Sequence, residues 1–198
     1  MNEPEITLAL LAIALAATLA GRWFVRRFGL HFRPIPAYTV LGALAADAVE
    51  SDERVHLSFG GSELGRSGTV AALASAEIFY RLAERLAISP KSPVITLSDA
   101  VTIPLAQDTL RRAYEYRQNL SAYHTGLAAW FPQGTRSVAF GAGAGAFAAD
   151  HDVESSVLLG RFGPEMAFLG ETAPRYDQEL IAHSDLIEGQ AVAFAQAD

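Results

Sequence analysis

The chain has 198 residues, enough for one domain with a sizeable core but cramped for two. It contains no cysteine, which excludes disulfides, thiolate metal sites and cysteine nucleophiles, and its 51% hydrophobic against 19% charged residues make it more apolar than an average soluble domain. The net charge is −7, and from Pro34 onward 11 basic residues face 20 acidic ones, so neither nucleic acid nor an anionic membrane surface is an expected partner for the body of the chain.

Ile6 to Ala20 reads ITLALLAIALAATLA without a charge, and the apolar run continues through Trp23 and Phe24 to Val25. Twenty helical residues rising about 1.5 Å each span about 30 Å, the thickness of a bilayer's hydrocarbon core. Residues 6–25 are therefore read as a single-pass membrane helix whose partner is the lipid bilayer; a buried core helix or an atypical signal is the alternative. Glu3 and Glu5, with no Lys or Arg, precede it, unlike the basic start of a cleaved signal. Arg22, Arg26, Arg27 and Arg33 follow the run, and the positive-inside rule then predicts an outward N-terminus and a cytoplasmic domain. The expected division is an anchor with its basic flank over 1–33 and an α/β domain over 34–198.

After the prolines at 34 and 36, Ala37 to Val49 suits a packed helix. Val55, Leu57 and Phe59 alternate with His56 and Ser58 as a short strand does, and a glycine-rich loop follows from Gly60 to Gly68. From Thr69 to about Leu86, apolar residues fall on one helical face and Glu77, Arg81, Glu84 and Arg85 on the other. Val94 to Leu97 reads as a buried strand, and Pro104 near its start suits a helix over Thr102 to Arg117. Farther on, Gly126 to Phe131 and Ser137 to Phe140 are read as strands about the turn at 132–134, Ser156 to Leu159 as another, and 164–169 and the last fifteen residues as helical. The Ala/Gly run from Val138 to Ala149 is too short for a bilayer and suits close packing. This alternation predicts an α/β domain, a small sheet with helices packed on it, preceded by one N-terminal transmembrane helix.

The strongest candidate site is FGGSELGRSGT, Phe59 to Thr69, because it leaves a strand and enters a helix. Gly60, Gly65, Arg66 and Ser67 match the phosphate-loop spacing GxxxxGK[ST] with arginine in place of lysine. Glycines let backbone N–H groups approach an anion, and a helix N-terminus adds positive potential. The candidate ligand-binding residues are thus Gly60, Gly61, Gly65, Arg66, Ser67 and Thr69, with Asp99 after VITL in the place of a magnesium-holding acid. Arginine is bulkier than the lysine point charge, and Glu63 puts a negative charge inside the cradle, so a structural turn is the plainer explanation. Asp150, His151, Asp152 and Glu154 offer oxygen and imidazole donors but lack zinc or calcium spacing and read as a solvated turn. Gly141, Gly143 and Gly145 resemble part of a dinucleotide fingerprint with the third glycine one residue early. Glu165 in RFGPE fits the first turn of a helix. His31, His56, His124 and His183 are isolated and read as structural or exposed. These patterns name no catalytic residue, no metal-ligand set and no cofactor.

Taken in order, GGSELGRSGT, ITLSDA with PLAQDTLRRAYEY, and FGAGAGAFAADHDVESSVLLGRFGPE resemble a prokaryotic family of membrane-anchored proteins, the domain of unknown function numbered 6754. The resemblance covers most of the chain after residue 36 and the anchor before it. It implies further membrane segments after the domain, so that a chain ending at Asp198 would be part of a longer multi-span protein, and it brings no catalytic residues. The leading expectation is a non-enzymatic, membrane-tethered module that assembles with itself or a protein partner. The competing one is a nucleotide or other anionic ligand at Gly60 to Thr69.

Overall fold

The computed structural model describes residues 3–28, 35, 37–133 and 138–197 of the chain. They divide into two compact units, residues 1–36 and 37–198.

The first unit is one helix, α1 (Glu3–Phe28), longer at both ends than the apolar run alone predicts. Its side chains are exposed, and by length and composition it can cross a membrane from Pro4 to Arg27. Arg26 and Arg27 in its last turn complement the negative end of the helix dipole. Thr18, one of its few polar residues, donates its hydroxyl to the Ala14 carbonyl at 2.7 Å, which satisfies that group within the helix.

The second unit is built on five parallel strands, β1 (Arg54–Gly60), β2 (Val94–Leu97), β3 (Ala128–Trp130), β4 (Val153–Arg161) and β5 (Glu179–Ser184). They lie in the order β3-β2-β1-β4-β5. Parallel neighbours need a crossover, and each crossover here carries a helix. The helices α3 (Thr69–Leu86) and α4 (Ile103–Tyr116) connect β1 to β2 to β3, stepping outward on one side of β1. The chain then returns across the sheet through α5 (Val138–Asp150) and continues outward on the other side through α6 (Met166–Arg175), ending in α7 (Ile187–Gln196). Right-handed crossovers in the two directions put the two helix sets on opposite faces. With α2 (Ala37–Glu50), α3 and α4 cover a core that includes Val55, Leu57, Phe59, Ile95 and Val157, where the Phe59 and Phe79 rings meet edge to face at 4.8 Å. The other face packs Phe140, Leu158, Phe162, Met166 and Leu180 under α5, α6 and α7.

The alternation of β1 suggests one wet face, yet both are covered. His56 and Ser58 are fully buried, and cross-strand partners take the place of water. The reading of residues 137–140 as a strand is corrected for the part described: Val138 to Phe140 open α5. Ser137 and Gly134 lie outside the described residues. The Ala/Gly run does serve close packing. A Cβ on Gly141 would stand 2.9 Å from the Glu165 carbonyl oxygen and one on Gly145 2.9 Å from the Thr172 hydroxyl, so α6 is seated directly on the glycine face of α5. The glycines of 141–145 thus lie inside a helix, where no dinucleotide turn can form.

Candidate functional site at the sheet switch point

β1 and β4 are neighbours whose connections leave in opposite directions, and in open α/β sheets ligands bind beyond the carboxyl ends of such a pair. Three loops converge there. The first follows β1, where Gly60 adopts φ +59° and its carbonyl accepts the Ser98 N–H at 2.9 Å and the Ser98 hydroxyl at 3.1 Å. Gly61 then donates its N–H to the Arg161 carbonyl at 2.7 Å, and buried Ser62 accepts the Arg161 N–H on its hydroxyl at 2.9 Å. The carbonyl of Ser62 accepts the Thr102 hydroxyl at 2.8 Å. The second loop follows β4, and the third follows β5. Buried Ser184 ties these two together, because its hydroxyl donates to the Phe162 carbonyl at 2.7 Å and accepts the N–H groups of Phe162 and Leu186, each at 3.0 Å.

The cleft between the loops has a volume of about 370 Å³ and is lined by Gly61, Glu63, Gln133, Arg161, Glu165 and Glu188, among others. Glu165 is its most enclosed charged group. The residue is 4% exposed, and one carboxylate oxygen accepts the Gly163 N–H at 2.7 Å. Among the described residues no basic side chain forms an ion pair with it. Arg161, the basic group among the described lining residues, donates to the Ser67 hydroxyl at 2.8 Å and stands 3.8 Å from the Asp185 carboxylate. Among the described lining residues, carboxylates therefore outnumber cations.

Of the residues picked out by the phosphate-loop spacing, Gly61 lines the cleft and Ser67 reaches it through Arg161. Gly60 shapes the turn behind it. Arg66 turns outward, with its side chain 77% exposed and paired to Glu63 of its own loop at 3.3 Å. Gly65 adopts φ +84° with nothing near its α-carbon face, and the Thr69 hydroxyl closes the loop by accepting the Arg66 N–H at 3.0 Å and donating to the Arg66 carbonyl at 2.7 Å. Asp99 lies at the end of β2, accepting the Thr102 hydroxyl at 3.1 Å. The amides of Gly61, Ser62, Arg66 and Thr69, which a phosphate cradle would offer outward, are all bonded within the fold. Gln133 and Glu188 belong to no motif, and Arg161 only opens RFGPE. Their shared signal is position at or beyond the end of a strand, and β5 had to be placed before Glu188 could be.

Beneath the site runs a polar row across three strands. His56 Nε2 lies 2.7 Å from the Thr96 hydroxyl, Nδ1 lies 3.2 Å from that of Ser156, and the Thr96 hydroxyl donates to Ser58 at 2.9 Å. Since Thr96 spends its proton on Ser58, it accepts from Nε2, which makes His56 the neutral Nε2–H tautomer with Nδ1 accepting from Ser156. Burial, reinforced by the positive charge of His151, lowers the His56 pKa to about 3. Away from the site, His151 bonds the Phe147 carbonyl at 2.8 Å and stacks on its ring. Among the described residues no three His, Asp or Glu side chains are grouped to hold a metal ion.

Comparison with protein-family models, with curated proteins and with solved structures finds no match.

Proposed function

We propose that the protein is a membrane-tethered binding module that takes a small, polar, donor-rich ligand in the switch-point cleft. The observation that carries this is Glu165, a carboxylate enclosed in the cleft that accepts the Gly163 N–H and has no cation partner among the described residues. A buried charge is costly until it is paired or amply hydrogen-bonded, so a ligand presenting hydroxyl or amino donors completes what the fold leaves open. Glu63 and Glu188 add to the same preference. Among the described residues of the lining, a bare phosphate would meet these three carboxylates with Arg161 in its favour. The anionic-ligand expectation therefore gives way, in this reading, to a ligand whose cleft-facing end is neutral or cationic.

Thermal unfolding of the full chain in mild detergent tests it, with polyols, nucleosides, amines and inorganic phosphate as probes. A ligand at a hundredfold excess over Kd stabilises by about 2.7 kcal/mol, or roughly 5–10 °C in a domain of this size. The expected result is such a shift with a donor-rich probe, abolished in Glu165→Gln, which keeps an acceptor for Gly163 but removes the charge. Stabilisation by phosphate alone would overturn the proposal.

The arginines flanking α1 support a cytoplasmic domain, tested by C-terminal reporters active on one side of the membrane. Assembly with a protein partner or a second copy is a second reading, favoured by α7, whose Ile187 and Phe194 are 84% and 95% exposed. Crosslinking through a cysteine introduced at Phe194 would detect it, and a strictly monomeric protein with no crosslinked partner would count against it.

A further inference from the structure

Resting on the cleft as a ligand site, we infer that the ligand is a small aliphatic oligoamine, a methylene chain with separated ammonium groups, one held by Glu165 and the next by Glu188. Both residues line the cleft, and neither forms an ion pair among the described residues. Glu165 is the enclosed end. It stands immediately before α6 and is 4% exposed, with Oε1 accepting the Gly163 N–H at 2.7 Å. Oε2 lies over Gly163, 2.8 Å from where a Cβ would be, and accepts no hydrogen bond among the described residues. An ammonium carries three donors and no acceptor, so it answers an enclosed carboxylate with both charge and hydrogen bonds, which together are about twice as strong as a neutral contact. Glu188 is the outer end, exposed in the first turn of α7.

The fold locks the carriers of these two carboxylates together. Ser184 holds the Phe162 and Leu186 amides on one hydroxyl, each at 3.0 Å. Gly189, next to Glu188, is seated so closely on the Phe162 carbonyl that a Cβ there would overlap its oxygen. The first turn of α7 is therefore fixed against the loop that leads into Glu165. Pro164, beside Glu165, and Leu186, two residues before Glu188, line the same cleft and give a methylene chain apolar surface to lie on. Three carboxylates in one cleft also raise the question of a metal ion. Among the described residues no three are grouped to hold one, so Glu63, Glu165 and Glu188 face the cleft from separate points. Negative charge at separate points fits a cation whose own charges are spread along a chain. Glu63 is the least available of the three, since Arg66 of its own loop pairs with it at 3.3 Å, and the charge of Arg161 is partly answered by Asp185 at 3.8 Å. With a volume of about 370 Å³ the cleft is at the small end of ligand sites, roughly 300–1,000 Å³, so the chain is short.

The test uses the full chain in mild nonionic detergent and titrates butylamine, diaminobutane, ribose and calcium ion by calorimetry. The expected result is that diaminobutane binds about tenfold more tightly than butylamine, and butylamine more tightly than ribose. Glu165→Gln should weaken both amines. Glu188→Gln, a change at an exposed position, should lower diaminobutane about tenfold to the level of butylamine and leave butylamine unchanged. Glu115→Gln on α4, outside the cleft lining, should alter neither. Equal affinity for the two amines with no effect of Glu188→Gln would overturn the oligoamine, and so would calcium binding as tightly as diaminobutane through Glu165. Weakening by Glu115→Gln as large as by Glu188→Gln would overturn it as well, showing only attraction of cations to an acidic surface. Ribose binding that depends on Glu165, with none by either amine, would overturn the oligoamine and leave the cleft standing. No Glu165-dependent binding by any of these probes would remove both.

Discussion

His56 Nε2 and the Thr96 hydroxyl lie 2.7 Å apart between adjacent central strands, and this contact makes the only histidine of β1 a neutral donor in a closed polar row. Its folded pKa of about 3 stands below the ordinary 6.5. The unfolded chain therefore binds the proton first, and stability must rise with pH across that window. Full stability from this group is present above pH 6.5 and is lost progressively as pH falls toward 3, at up to about 1.4 kcal/mol per pH unit. Between pH 7 and pH 4, urea unfolding should show the wild type losing on the order of 3 kcal/mol more than His56→Gln, which has no proton to gain. Equal losses in the two proteins would show that His56 does not carry this acid sensitivity.

Gly60 and Gly61 are adjacent but should respond differently to alanine. At Gly60 the backbone has φ +59° and a Cβ would come 2.5 Å from the Arg161 carbonyl oxygen, so both conformation and space forbid a side chain. Gly60→Ala should cost about 2–4 kcal/mol in chemical unfolding. At Gly61 the nearest atom is the far end of the Gln133 side chain. Gly61→Ala should cost under about 1.5 kcal/mol, and Gly61→Ala with Gln133→Ala should recover most of that, because the neighbour can yield.

The contrast between these two glycines also marks where the amino-acid order stops being readable. The turn itself could be read, since glycines after an alternating apolar run announce it, and β1, α3, β2 and α4 follow from periods of two and of 3.6. Residues 138–140 misled because VAFGAGAGAFAAD has no polar face to show a helical period, and its partner surface is the distant α6. β5 passed unnoticed because ELIAHS is short and mixed at the sheet edge. The cleft was out of reach for a further reason. Gln133, Arg161 and Glu188 lie at or beyond the ends of three different strands, and only the return of the chain across the sheet brings them together with Gly61.

Ser184 holds two of those loops with one hydroxyl, which donates once and accepts twice while fully buried. Ser184→Ala leaves the Phe162 and Leu186 amides and the Phe162 carbonyl without it. The expected loss is about 2–3 kcal/mol in urea unfolding, and amide exchange at residues 162 and 186 should accelerate more than in β1. Ser184→Thr tests space at the same site, since Gly189 already stands within 2.6 Å of the hydroxyl by its would-be Cβ.

Gly141 links the packing of α5 to the chemistry of the cleft. A Cβ there meets the carbonyl oxygen of Glu165 at 2.9 Å and the Phe168 side chain at 3.1 Å, so any side chain must push the start of α6 away. Gly145 one turn later meets the Thr172 hydroxyl, a side chain that can rotate. Gly145→Ala should therefore cost about 1 kcal/mol or less once the gain in helix propensity is counted, and should leave ligand stabilisation intact. Gly141→Ala should cost about 1–3 kcal/mol and, because the displaced backbone carries Glu165, should also weaken any ligand that depends on Glu165. Paired unfolding and binding measurements on the two variants check this. Equal effects on binding would separate the cleft from the α5–α6 contact.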